Sequence, residues 1–340
     1  MTQLALFTRL LDDASPAERY ALALAQLQQA ERLGLDRAWV AQHHFRAAEG
    51  GLPSPFVFLA HAAAATSAIR LGTGVVTLTL EDPVRVAEDA VVLDLLTGGR
   101  LDLGLGSGGT PTSFAPFGLR LDDKTAVYEA KLDTLLTALR GGDVGGGNTL
   151  YPDAGTLGDR VWQATFSAEG GARAGRHGHG LLLSRTQPRP DDRPDATLAE
   201  LQLPIVDAYL EALPAGARGF VTASRTVFVA DDRDEARAFA ETGLRRAARS
   251  FRGGRLAPDA DLDELIAASD THVGTADEVA ASLAADPTLA RADEIAFQVH
   301  SVDAPHAHVL RSIELFATEV APALGWRSPA SPPITTGGHS

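Results

Sequence analysis

The chain has 340 residues, no Cys, 45% hydrophobic content and a formal net charge of −14. The missing Cys excludes disulfides, thiolate catalysis and thiolate metal sites, and an acidic chain without a Lys/Arg cluster lacks the basic face that nucleic-acid binding needs. No apolar run is long enough to span a membrane, and the N-terminus reads as a first strand rather than a signal peptide. The expected compartment is the cytoplasm, although a chain without Cys suits export too.

Strands are predicted to begin near Leu4, Arg37, Leu71, Leu101, Val161, Leu181, Thr222 and Glu294. Helical spacing fills the intervals 16–33, 56–66, 83–96, 125–139, 171–176, 197–213, 233–250 and 305–320. Ser15 before Pro16 is a helix start and Gly34 a stop. Residues 71–80 form a β-branched, glycine-punctuated run that predicts one buried strand. Asp82 and Pro83 then open a helix carrying Val84, Ala87, Val91 and Leu95 on one face, and Gly98-Gly99 ends it before the apolar run 101–105. Strand, helix and strand of this length make a βαβ unit with parallel strands. About eight such units is the count of a TIM (β/α)8 barrel, an α/β fold, here with insertions.

Three stretches interrupt the rhythm. Residues 141–148 (GGDVGGGN) read as a flexible connector. Residues 251–271 read as an insertion of the kind that forms mobile lids, ahead of a short helix over 276–285. The Pro-, Ser- and Gly-rich tail 328–340 is expected to be disordered, leaving one domain over 1–327. Pro204 is expected to kink or split its helix.

In parallel α/β folds the chemistry lies beyond the carboxyl ends of the strands. There the chain places Gly104 to Gly109, which formally satisfies the dinucleotide pattern G-x-G-x-x-G. Pro111 and Pro116 follow, so no helix opens to receive a pyrophosphate, and the glycines read instead as a loop lining a barrel mouth. His43 and His44 end a strand; neighbours on a strand point oppositely, so the two cannot share a metal ion inside a barrel. Without a His-x-His on the first strand, a metallohydrolase is a distant reading. At Phe166-Ser167, a strand gives way to a helix that begins near Gly170-Gly171. A hydroxyl and free amides at a helix start suit a phosphate, or cap an ordinary helix, and the residues alone leave both open.

The motifs RAWVAQHHF (37–45), residues 69–118 and residues 166–180 resemble the bacterial luciferase-like flavin monooxygenases. The layout follows that family over residues 4–323. GGLPSPFVFLAH (50–61) and LSRTQPRP (183–190) are most similar to uncharacterised FMN-dependent members of it. The resemblance implies a barrel that takes reduced FMN from a separate NAD(P)H flavin reductase. With dioxygen it would oxygenate a small organic substrate, in a homodimer without nucleic-acid or membrane partners. By position, it implies His43 as the catalytic residue facing the flavin. A cis Gly74–Val75 peptide would lie under the ring, with Ser107 and Gly108 beside it. The phosphate would rest on Ser167, Gly170 and Gly171, aided by Arg173 or Arg185.

Two departures stand out. Gln42 replaces the glutamate of the family's Glu-His-His, and Ser107 stands where luciferase puts an arginine on the phosphate. A deazaflavin-dependent oxidoreductase on the same fold and a flavin-binding protein without turnover are the alternatives. Loops 46–54, 110–122 and 186–195, with the 251–271 insertion, are expected to set a substrate that the sequence does not name.

Overall fold

Short apolar runs alternating with capped amphipathic segments give a closed parallel barrel wrapped by helices, in a computed structural model that describes residues 2–250 and 260–328. The first half holds β1 (Gln3–Thr8), α1 (Pro16–Arg32), β2 (Arg37–Val40), α2 (Pro55–Ala64), β3 (Arg70–Thr73), β4 (Val76–Thr77), α3 (Pro83–Thr97), β5 (Leu101–Gly106) and α4 (Lys124–Leu139). The second half adds β6 (Val161–Ala164), α5 (Ala168–Arg176), β7 (Gly180–Leu183), α6 (Leu198–Glu211), β8 (Val221–Val229) and α7 (Arg233–Ser250). It ends with α8 (Leu262–Ala268), β9 (Thr271–Gly274), α9 (Ala276–Ala284), β10 (Glu294–Gln298) and α10 (His306–Leu315). Eight strands close the cylinder in the order β1-β2-β3-β5-β6-β7-β8-β10 and back to β1, all parallel.

The strand period sorts the side chains. Ala5, Trp39, Trp162, Leu182 and Ala296 fill the interior of the barrel, while Leu4, Leu6, Ala38, Leu71, Leu103 and Ile295 join the larger core under the helices. At the amino end of the cylinder, Arg37 is buried between Asp102 and Glu294, and Trp39 Nε1 and Thr222 Oγ1 also donate to Glu294. This network seals the floor and leaves the carboxyl end open.

Local signals act as the sequence predicts. Ser15 forms a capping box with Glu18, and the Asp82 side chain accepts from the amides of Val84 and Arg85. Gly98 (φ 67°) ends α3 in the left-handed conformation.

The predicted single strand over 71–80 is instead broken. β3 stops at Thr73, the Gly74–Val75 peptide is cis, β4 follows, and residues 78–80 turn as a 3-10 helix. Gly104 and Gly106 serve this break. A Cβ on Gly104 would collide with the Thr73 carbonyl, and one on Gly106 would lie 2.7 Å from Val75 Cγ2.

Pro204 does not split α6, which runs unbroken from Leu198 to Glu211. Gly171 and Gly175 of α5 bring that helix against the Ile205 and Tyr209 carbonyls of α6, so packing holds the proline turn in place. The 251–271 insertion is in part an ordered helix, α8, opened by an Asp261–Glu264 capping box and anchored by buried Leu265. Residues 251–259 of the expected lid and 329–340 of the expected tail lie outside the described residues.

Candidate active site

The open end of the barrel collects every residue that the sequence analysis singled out except Arg173. Its floor is apolar: Phe7, Val75 and Ala164, partly exposed, cap the interior cluster. On the β3–β5 arc, the Gly74 amide donates to Val40 O at 2.8 Å, and the Ser107 carbonyl accepts from Thr79 Oγ1 at 2.9 Å. Gly108 (φ 80°) needs its left-handed backbone, and a Cβ there would lie 2.7 Å from Thr77 Cγ2.

The two histidines follow β2 and diverge. The His43 ring lies against Gly50, where a Cβ would approach Nδ1 to 2.5 Å, and Nδ1 is buried without a hydrogen-bond partner. His44 turns to the rim, edge-on to Phe117 with 5.1 Å between ring centroids. Burial, then the positive charges of Arg9 and Arg185, push His43 down to about 3, so the imidazole is neutral at physiological pH. Among the described residues Gln42 makes no hydrogen bond to it. The Gln42 amide donates to Glu81 Oε1 at 2.6 Å and to Pro53 O at 3.0 Å, and its carbonyl accepts from the Thr77 amide at 2.6 Å.

On the next arc, Ser167 caps α5 and its hydroxyl accepts from the Gly170 amide at 3.2 Å. The Gly171 amide bonds to Ser167 O, so neither glycine amide is available to a ligand. The amides left open at the helix start are those of Ala168 and Glu169, beside the Ser167 and Thr165 hydroxyls. The glycines have a packing role: a Cβ on Gly170 would collide with Thr165 Oγ1. Arg173 is turned away, hydrogen-bonded to Gln163 and Glu129 and stacked over Tyr128.

Arg185 follows β7, and its guanidinium lies against Thr226 Oγ1 of β8 at 3.3 Å. It shares the mouth with Arg9, which sequence reasoning missed. The signal was present, since Ala5 and Phe7 face inward and the period of two continues to Arg9. Phe45, Phe117 and Phe166, each exposed, are also large apolar groups in the loops that follow β2, β5 and β6.

A surface pocket of about 490 Å³ beside Leu136, Arg140, Asp153, His177 and His179 opens at the opposite, amino end of the barrel, away from these groups. Among the described residues, no cluster of His, Asp and Glu could hold a metal ion, and no helix is long and apolar enough to cross a membrane.

Eight parallel strands closed into a cylinder within a ring of helices define the TIM-barrel class. The chain belongs to the luciferase-like monooxygenase family, whose model matches residues 2–292. It is similar to uncharacterized protein y4vJ of Sinorhizobium fredii, with 28% identity, 86% of this chain and 88% of that protein being covered. It is 31% identical to 4-hydroxyprotoasukamycin monooxygenase of Streptomyces nodosus subsp. asukaensis over 86% of this chain and 83% of that one.

Among solved structures, monooxygenase RslO1 of Streptomyces bottropensis superposes with a TM-score of 0.77 at 24% identity, over 94% of this chain and 99% of that chain. The oxygenating constituent of 3,6-diketocamphane monooxygenase from Pseudomonas putida, in complex with FMN, gives a TM-score of 0.71 at 19% identity over 94% and 98%. The coenzyme F420-dependent tetrahydromethanopterin reductase of Methanopyrus kandleri gives 0.70 at 17% over 95% and 99%. At these identities the structural likeness establishes the fold.

Proposed function

We propose that this chain is the oxygenase of a two-component, FMN-dependent monooxygenase acting on a small organic substrate. The observation that carries the reading is the meeting, at one barrel mouth, of neutral His43 with its buried orphan Nδ1, the apolar floor and the Ser167-capped helix start.

These residues fit a flavin mononucleotide. The floor of Phe7, Val75 and Ala164 suits a flat apolar ring, with Gly74 and Gly108 letting backbone approach it. The Ser167 hydroxyl and the open amides of Ala168 and Glu169 suit the phosphate, helped by the positive end of α5. With luciferase's arginine replaced by Ser107, that helix start carries more of the anion's binding. When bound, reduced FMN would supply the electrons that activate dioxygen.

The protein's own part follows from its groups. The apolar floor excludes water from the reacting atoms. His43, uncharged at rest, would act as hydrogen-bond partner or proton donor to the reacting oxygen. A separate NAD(P)H flavin reductase would deliver the reduced cofactor, in the cytoplasm, a reading supported by the similarity to the oxygenase component of a flavin-dependent trigonelline monooxygenase. Exposed Val57 on α2 with Val92, Leu95 and Leu96 on α3 supports a homodimer.

The test is titration with FMN and, separately, with a deazaflavin, followed by anaerobic reduction and mixing with oxygen. Tight FMN binding and oxygen consumption are expected. His43→Ala should keep FMN affinity within a few fold and slow the oxygen step by about 10²–10⁴-fold. Binding of the deazaflavin alone, with hydride transfer and no oxygen uptake, would establish the deazaflavin-dependent reading instead. FMN binding with no oxygen reaction would make the chain a binding protein.

A further inference from the structure

The mouth has a second chemistry beside the arc read above as the flavin's. Arg9 at the end of β1 and Arg185 after β7 reach it from the side opposite Gly74 and Ser107, with His43 between the two arcs around the barrel. Among the described residues, neither guanidinium has a carboxylate within ion-pair distance. Arg9 donates to three neutral oxygens, the carbonyls of Glu49 at 3.5 Å and His300 at 3.4 Å and Ser301 Oγ at 2.9 Å, and its Nε is buried with no partner. Arg185 makes its one hydrogen bond to Thr226 Oγ1.

The nearby carboxylates are engaged elsewhere. Glu49 accepts from Thr110, Asp303 pairs with Arg246, and Asp270 pairs with Arg189. In a chain of net charge −14 this is unusual: the buried Arg37, Arg189 and Arg225 each hold a carboxylate of their own. Two guanidiniums at the barrel mouth are thus left without a carboxylate, with one buried Nε and one buried imidazole Nδ1 unsatisfied. An unsatisfied buried donor is costly, and an ionised acceptor is what relieves it.

We infer that Arg9, Arg185 and His43 recognise a carboxylate on an otherwise apolar substrate. The inference rests on the flavin reading for the role of that substrate, and on the charges alone for its anionic group. Burial holds both arginines down, Arg185 to about 10, Arg9 is lowered further by the charges of Arg185 and Arg246, and a bound anion would offset that penalty. The charges of Glu49 and Asp303 already act on Arg9 and that of Asp270 on Arg185, so the local field suits one negative charge better than the two of a phosphate. A carboxylate also matches the planar fork of a guanidinium. The floor of Phe7, Val75 and Ala164 would take the apolar body.

The test is calorimetric titration of the purified full-length protein, with and without FMN. The probes are benzoate, cinnamate and hexanoate against their primary amides, with inorganic phosphate as a further arm. Wild type is expected to bind at least one acid about tenfold or more tightly than its amide. Arg9→Gln and Arg185→Gln should each close that gap to about twofold while FMN affinity changes by less than about threefold. Arg185→Lys should keep part of the preference. Should Arg9→Gln fail to fold, the Arg185 pair still decides the matter.

Equal binding of acids and amides, or no binding of any acid, overturns the inference. So does loss of FMN or phosphate affinity in the arginine variants, which would make this the cofactor's phosphate site. If FMN fails to bind while the acid preference persists, the flavin reading falls and the carboxylate site stands.

Discussion

Gln42 shows how one side chain can depart from a family pattern for a local reason. Its amide donates to Glu81 at 2.6 Å, a contact that a carboxylate at position 42 could not make. The pair ties the end of β2 to the segment after the Gly74–Val75 break, through Thr77. Gln42→Glu would set two carboxylates face to face, able to share one proton when folded and both ionised when unfolded at neutral pH. Its folded-state pKa is therefore raised, and the variant's deficit should grow as pH rises through neutrality and shrink in acid. Thermal melts of the variant and wild type at pH 5 and pH 8 measure this, with a gap that is wider at pH 8 expected.

His43 and His44 point apart, although they lie beyond the end of β2 and not on a strand. Residue-scale reading failed for Arg9, because an isolated arginine on an apolar strand carries no motif. It also misassigned Gly170 and Gly171 to a ligand, since a close approach by another part of the chain demands glycine just as a ligand does.

Among the elements, α5 shows how packing and binding share one helix. Its amino end presents Ser167 and the open amides, while Gly171 and Gly175, one turn apart, let α6 come close. Tyr209 of α6 also bridges the His179 carbonyl and the Phe220 amide, at 2.9 Å each, tying β7 to β8. A methyl at Gly175 collides with the Tyr209 carbonyl, so Gly175→Ala is expected to lose about 1–3 kcal/mol by forcing the helices apart. Ser167→Ala should cost about 1 kcal/mol through its cap alone. Urea titrations give both values, and FMN affinity should fall for Ser167→Ala well beyond the change seen for Gly175→Ala.

The elements were largely legible. Caps, glycine stops and alternating periods placed every barrel strand and the helices between them within a few residues. What escaped has physical causes. β4 lay hidden in a uniform apolar run, because a cis turn between Gly and Val leaves no polar mark. β9 is a short strand that extends β8 alone. α8 was taken for part of an insertion because seven residues are too short to show a helical period, although its Asp261–Glu264 box was a readable start.

For the molecule as a whole, α2 and α3 expose large apolar side chains on the outside of the barrel. Val57, Leu95 and Leu96 are 72%, 60% and 68% exposed there. Such exposed apolar side chains on neighbouring helices are candidates for an association surface. Leu96→Lys with Val57→Lys is expected to turn a dimer into a monomer at micromolar concentration, as read by analytical ultracentrifugation, with the helical content unchanged. A wild-type protein that sediments as a monomer would contradict the dimer.

The two guanidiniums left without carboxylates also bear on how fast a ligand arrives. An anion in dilute salt first meets the field of a molecule of net charge −14 and is repelled, then meets attraction within the mouth. The Debye length falls to about 10 Å at 0.1 M salt, which erases the far field while weakening a partly buried contact much less. Raising salt from low to physiological strength should therefore speed the association of benzoate or FMN, where an anion-binding protein of positive net charge would slow. Stopped-flow association rates across that range decide it. Arrival is then hindered and retention favoured, so the protein selects for anions already brought near it, by an apolar rim or by a partner that hands over its flavin.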